Sequence, residues 1–230
     1  MIESKYNSSK VEEVVMLFHG ACKTSKQMSY IESSLHKLGC RTCNIDYSWR
    51  YQESAKIVEE MLWQVKHIGR RYSTVHLIGH SLGGLIIRGV LTQYKPKNLG
   101  KVIQIASPNQ GSKLASQFKG RWLYKKAYGK VSQDLIVNSK FLKMLETDIE
   151  YELGTIAGNS SNLLVNCLLK FERNDGRVTE SETILERAKD HIVINANHNQ
   201  VVKSFCALHQ IRMFLLNGKF DHDVKNRKKW

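Results

Sequence analysis

A chain of 230 residues with 35 Lys and Arg against 21 Asp and Glu carries a formal charge of +14; it is long enough for one sizeable α/β domain and basic enough to suit an anionic partner. The charge is spread along the chain, with local excess only in "KGRWLYKKAYGK" (119–130) and the tail "KNRKKW" (225–230), which reads as a solvated surface rather than a nucleic-acid footprint. The absence of an 18-residue apolar run excludes a membrane-spanning helix, and five cysteines without secreted-scaffold spacing exclude a disulfide framework.

The N-terminal stretch "MIESKYNSSKVEEVV" lacks the basic segment and apolar run of a signal peptide, so a cytoplasmic location with reduced thiols is expected. Residues 11–20, "VEEVVMLFHG", read as a buried strand ending in a glycine turn, and 29–39 repeat apolar residues at helical spacing. "CRTCNIDY" (40–47) is a second strand. It contains Cys40 and Cys43, but a redox pair needs a helix N-terminus to lower the thiolate pKa and a zinc ribbon needs a second pair. Residues 51–72 place Ile57, Met61, Leu62, Val65 and Ile68 on one helical face, and "TVHLIG" (74–79) is a continuous apolar strand, as expected where both sheet faces are covered. A helix from Ser81 to about Tyr94 and a strand "KVIQIA" (101–106) follow. The alternation predicts a doubly wound, mostly parallel sheet with right-handed crossovers and helices on both faces.

Residues 107–137 interrupt the pattern. The stretch is long, polar and basic, with Trp122, Tyr124 and Tyr128 interspersed, and is read as a lid-like insertion within a single domain spanning 1–230. A helical segment near "SKFLKMLETD" precedes strands at 150–158 and 190–196, an amphipathic helix over 200–216 closed by Gly218, and a basic tail at 219–230.

The chemistry is concentrated at Gly79-His80-Ser81-Leu82-Gly83. In G-x-S-x-G a strand turns so sharply into a helix that the serine is forced into a strained conformation with its hydroxyl at the carboxyl edge of the sheet, where open α/β sheets bind ligands. A serine hydroxyl needs a base, and the base needs a carboxylate to fix its tautomer, downstream in the order Ser, acid, His. His198 follows the strand 190–196 and so lies at the same edge as Ser81; His191 begins that strand at the opposite end, His209 is inside a helix and His222 is in the tail. For the acid, Asp175 lies in the loop between the last two strands, with Glu172, Glu180 and Glu182 as competitors and Asp190 at the wrong edge. An oxyanion requires two backbone donors; the amide of Leu82 and, after the first strand, that of Ala21 are in position to supply them.

These segments resemble the α/β-hydrolase superfamily, and within it the small lipase-like serine esterases related to triacylglycerol lipases and the PGAP-like group. "LFHG", "LIGHSLGGLIIR", "IASPNQGSKLA", "NDGRV" and "NHNQVV" match the group's oxyanion turn, nucleophile elbow, following segment, acid loop and histidine loop. The resemblance implies Ser81, Asp175 and His198 as triad. "HGACKT" departs from the more apolar or glycine-rich turn of the group, and Asn199 stands where Thr is common. The expected chemistry is hydrolysis of a small-molecule or lipid ester through an acyl-enzyme on Ser81, with no cofactor and no metal, and with the insertion's aromatics lining the acyl site while its lysines face an anionic lipid surface. Acyl transfer, thioester or amide cleavage by the same triad, and a non-catalytic basic binding module, are the alternatives.

Overall fold

The structure, a computed structural model, describes residues 12–223. Strand β1 (Glu13–Phe18) sends Val14, Met16 and Phe18 to one face and Val15 and Leu17 to the other, all of them buried. Such a strand is stable only between two covered faces. It is followed by α1 (Ser29–Lys37), β2 (Arg41–Ile45), α2 (Ser54–Gly69), β3 (Thr74–His80), α3 (Leu82–Gln93) and β4 (Leu99–Ile105). Three short helices, α4 (Lys113–Gln117), α5 (Trp122–Tyr128) and α6 (Lys140–Met144), come next. The chain then completes β5 (Leu153–Gly158), α7 (Leu163–Leu168), α8 (Glu180–Thr183), β6 (Asp190–Ile194) and α9 (Phe205–Asn217).

The six strands pair in the order β2-β1-β3-β4-β5-β6, every pair parallel. Ile57, Met61 and Val65 of α2 and Leu85 and Ile86 of α3 build the core on one face; Ile31 and Leu35 of α1 and Ile211 and Phe214 of α9 build it on the other. This is the doubly wound parallel sheet that the alternation predicted, and the α/β-hydrolase architecture that the resemblance implied. From β1 the chain runs outward to β2 and then crosses to β3 on the opposite side of β1. The carboxyl ends of β1 and β3 therefore flank the switch point at which such sheets open a crevice. Among the described residues no helix is long and apolar enough to cross a membrane.

Three local differences from the pattern reading have physical causes. The predicted helix over 200–216 is split: Val201–Lys203 form a single tight turn, and α9 starts at Phe205 because the Ser204 side chain accepts the Ala207 N–H. Beyond Gly218, which closes α9 at φ +66°, Phe220 packs on Phe214 and is buried; positions 224–230 of the predicted basic tail lie outside the described residues. Helices α7 and α8, where only a loop was read, have six and four residues, too few for a 3.6-residue period to register.

The insertion is anchored rather than loose. The Ser112 N–H donates to the Leu135 carbonyl (2.8 Å), Ser54 N–H to the Asp134 carboxylate (2.8 Å) and Lys130 N–H to the Arg50 carbonyl (3.1 Å). Buried Arg88 of α3 donates to the side-chain oxygen of Asn109 (3.2 Å) and the carbonyl of Leu145 (2.7 Å), tying the start of the insertion to the segment that follows α6.

Helix α3 leaves β3 in a turn that leaves no room for side chains. A Cβ at Gly79 would stand 2.5 Å from the Gly83 carbonyl carbon, and one at Gly83 only 2.4 Å from the Phe18 carbonyl oxygen at the end of β1. Backbone cannot move aside as a flexible side chain can. Gly83→Ala should therefore cost about 3 kcal/mol, seen in a thermal melt as a loss of roughly 10 °C for a chain of this size; a melting temperature equal to the parent's would show that β1 and α3 are not in contact here.

Candidate active site

Ser81 sits between β3 and α3 with φ +53° and ψ −119°, a combination that costs a non-glycine residue about 1–3 kcal/mol and persists only where the surroundings enforce it. The enforcement is visible. The Ser81 N–H donates to the Ile105 carbonyl at the end of β4 (2.8 Å), and the Ser81 carbonyl accepts the Gly84 N–H (3.1 Å). The serine is thus held by both the neighbouring strand and the helix it precedes, with its hydroxyl directed into the crevice.

The loops after β5 and β6 bring two further groups to the same place. The ring of His198 lies with Nε2 3.1 Å from Ser81 Oγ and Nδ1 2.7 Å from Asp175 Oδ2. A carboxylate facing Nδ1 holds the proton there, leaving Nε2 as the acceptor for the serine hydroxyl. Asp175 is itself immobilised: its Oδ1 accepts the N–H groups of Arg177 and Val178, both at 2.9 Å, and its carbonyl accepts the His198 N–H at 2.8 Å. Asp175 and His198 are buried, at 1% and 5% exposure, so their hydrogen bond is little competed by water.

The other candidates are engaged elsewhere. Glu172 pairs with Lys113, and Glu180 with Arg173. Glu182 closes a capping box with Thr179 at the start of α8. Asp190 accepts from Phe220 N–H and faces His222, while His209 faces Asp221 and His191 lies against the Thr155 hydroxyl. The structure therefore brings together Ser81, Asp175 and His198 and leaves the competitors apart. All five cysteines are free; Cys40 and Cys43 lie at and within β2, where burial pushes both thiols up.

Leu82, the first residue of α3, has an N–H that no intrahelical carbonyl can reach. Ala21 lines the same cavity as Ser81 and follows a strongly braced turn. There the Gly20 N–H donates to Gln27 Oε1 (2.8 Å), His19 stacks on Tyr47 with centroids 4.0 Å apart, and the Tyr47 hydroxyl donates to the His19 carbonyl. Burial lowers the His19 pKa against the pull of Asp46, and the ring acts as a packed spacer under the turn.

Residue-level reading of the sequence missed His80. This side chain, 1% exposed, points its Nε2 at the His198 carbonyl (2.9 Å), to which it donates, and its ring lies 4.7 Å from that of His198. Burial holds its pKa well below the usual histidine value, so the imidazole stays neutral and serves as a fixed donor to the loop carrying His198. The only signal for it was a polar residue at the variable position of G-x-S-x-G, which by itself names no partner.

The cavity at Ser81 has a volume of about 170 Å³ and an apolar wall that includes Leu114, Phe118, Tyr124, Tyr128 and Leu135. Of the insertion's aromatics, Tyr124 and Tyr128 do line it, but Trp122 does not. Trp122 is 67% exposed and lies beneath the Lys126 ammonium, 5.7 Å from the ring centroid, while Phe118 takes the inner position. On a seven-residue helix the residues at 124 and 128 share a face that excludes 122.

The sheet order and the serine turn define a class by architecture, the α/β-hydrolase fold, and solved structures share it. The mature lipase BlEst2 of Bacillus licheniformis superposes with a TM-score of 0.69 at 18% identity, covering 91% of this chain and 93% of its own. The metagenomic carboxyl esterase MGS0156 gives 0.62 at 16% identity, over 91% of this chain and 75% of its own. The phospholipase PlaB of Legionella pneumophila gives 0.62 at 16% identity, over 81% of this chain and 53% of its own. No curated protein matches the sequence. The profile of the palmitoyl protein thioesterase family matches residues 14–152, and the chain belongs to that family.

Proposed function

We propose that this chain is a serine acyl hydrolase that cleaves a carboxylic ester or thioester through an acyl-enzyme on Ser81. The observation that carries the reading is the continuous relay from Ser81 Oγ through His198 to Asp175, at 3.1 and 2.7 Å, opening on an apolar cavity. His198 Nε2 takes the hydroxyl proton as Ser81 attacks the acyl carbon. The Leu82 and Ala21 amides receive the oxyanion, and each such donor is worth about 3–4 kcal/mol of barrier. His198 then returns the proton to the leaving oxygen or sulfur, and water repeats the path to free the acid and Ser81. The thioester alternative is favoured by the family profile, whose description names a thioesterase.

The cavity's volume of about 170 Å³ is well below the roughly 300–1,000 Å³ of sites that enclose drug-sized ligands. A short acyl chain fits within it, whereas a palmitoyl chain is longer than it can hold. With p-nitrophenyl esters and matching thioesters of graded length, kcat/KM should peak at butyryl to hexanoyl. A maximum at palmitoyl would show that this hollow is not the acyl site, and absence of turnover together with no labelling by a fluorophosphonate would reject the hydrolase reading itself.

A further inference from the structure

Beside the Ser81 cavity lies a second cleft, of about 430 Å³, bounded by Cys22, Lys23, Lys26, Trp49, Asn199 and Lys203 among its lining residues. Cys22 follows Ala21 and Asn199 follows His198, both of which line the first cavity. The two hollows therefore abut along the oxyanion turn and the histidine loop. They differ in chemistry. The first is lined mainly by apolar and aromatic side chains, whereas the charged lining of the second is three lysines with no carboxylate. Among the described residues, the lysines that do find carboxylates are Lys95, Lys113 and Lys189, none of them in this cleft.

Three like charges held around one hollow repel one another and are stabilised by an anion between them. The direction of the chemistry says which part of a substrate would bring that anion. His198 delivers its proton to the leaving atom, so the leaving group must stand against the loop that carries His198. That loop supplies Asn199 and Lys203 to the cleft, while Leu114, Phe118 and Tyr124 wall the opposite, apolar hollow. Arg177 also lines the Ser81 cavity, with its guanidinium 5.9 Å from the Tyr128 centroid, and together with Lys23 it acts electrostatically on the Cys22 thiol, which lines the second cleft.

We propose that the lysine-lined cleft binds a phosphate carried by the leaving group, so that the substrate is an acyl ester or thioester whose alcohol or thiol is phosphorylated. The phosphate is a handle: the bond broken is that between the acyl carbon and the leaving oxygen or sulfur, water supplies the hydroxyl of the acid product, and no P–O bond changes. The orientation argument rests on the acyl-hydrolase reading; the anion site itself does not.

Two measurements separate these. In calorimetric titrations of the full chain, coenzyme A and glycerol 3-phosphate serve as non-hydrolysable probes of a phosphorylated carrier thiol and of a lipid headgroup. At least one should bind, with affinity falling as salt is raised and weakening about tenfold in the triple variant Lys23→Gln, Lys26→Gln, Lys203→Gln. Which probe binds identifies the source of the phosphate. Binding of neither, or binding that is indifferent to the three substitutions, overturns the proposal. In kinetics, the ratio of kcat/KM for octanoyl-coenzyme A or 1-octanoyl-glycerol 3-phosphate to that for p-nitrophenyl octanoate should fall about tenfold in the same variant; an unchanged ratio likewise counts against it. Lys26 and Lys203 are exposed, so their single variants keep the fold and should move the ratio the same way by less. A chain that hydrolyses no ester would refute the hydrolase reading while the titrations still decide the anion site.

Discussion

Replacing Ser81 by alanine is expected to lower kcat on p-nitrophenyl butyrate by about a millionfold, the loss characteristic of removing the nucleophile from a relay that acts as a unit. The protein should remain folded. The side chain makes one hydrogen bond, to His198 Nε2, and the strained backbone is held by Ile105 and Gly84 through main-chain groups that alanine keeps. Its removal leaves the His198 ring fixed by Asp175 on the other side, with Nε2 facing a cavity that water can enter. A fluorophosphonate should label the parent and not the variant. Turnover within tenfold of the parent, in a variant with an unchanged melting temperature, would mean that the nucleophile lies elsewhere or that the reaction does not pass through an acyl-serine.

The second large effect belongs to Asp175→Asn, for which kcat should fall by about four orders of magnitude with little change in KM. The argument is one of donors and acceptors. Oδ1 of Asp175 accepts two backbone N–H groups, from Arg177 and Val178, so an asparagine must keep its carbonyl oxygen on that side. Its NH2 then faces His198 Nδ1, where the carboxylate oxygen had been. Two donors cannot meet, so Nδ1 gives up its proton and the ring adopts the other tautomer, with N–H directed at Ser81 Oγ. That imidazole cannot accept the serine proton. Volume and packing are conserved, which separates this variant from Asp175→Ala, where the buried turn would also be disrupted. A kcat within about tenfold of the parent would show that another group orients His198. The structure offers none among the competing carboxylates, since Glu172, Glu180 and Glu182 are each committed to Lys113, Arg173 and the α8 cap.

Gly83→Ala acts on stability and these two on chemistry, and the contrast is itself informative. The crossing of β3 and α3 is tight because Gly79 and Gly83 let backbones approach, and the same tightness forces Ser81 into its unusual dihedrals. Stability lost at Gly83 and activity lost at Ser81 therefore report on one local geometry from its two sides.

The order of the elements was legible in the sequence alone, because it rests on local signals. The continuous apolar run "VVMLF", helical spacing in 51–72 and glycine punctuation after "LIGHS" each act within a few residues and do not depend on what lies opposite. The edge at which Ser81, Asp175 and His198 emerge was legible for the same reason: in a parallel sheet every strand's carboxyl end falls on one side, so position relative to a strand fixes position in space. What only the tertiary structure decided are contacts between residues without a periodic signature. His80 and His198 are 118 positions apart, Ser81 and His198 are 117 apart, and no local pattern says that one ring donates to the other's carbonyl. Exchange of Trp122 for Phe118 in the cavity wall, the burial of Phe220 beyond the helix-ending Gly218, and the gathering of Lys23, Lys26 and Lys203 around one cleft are of the same kind. Each depends on how short, aperiodic segments settle against a finished sheet, and that is a property of packing rather than of the segment.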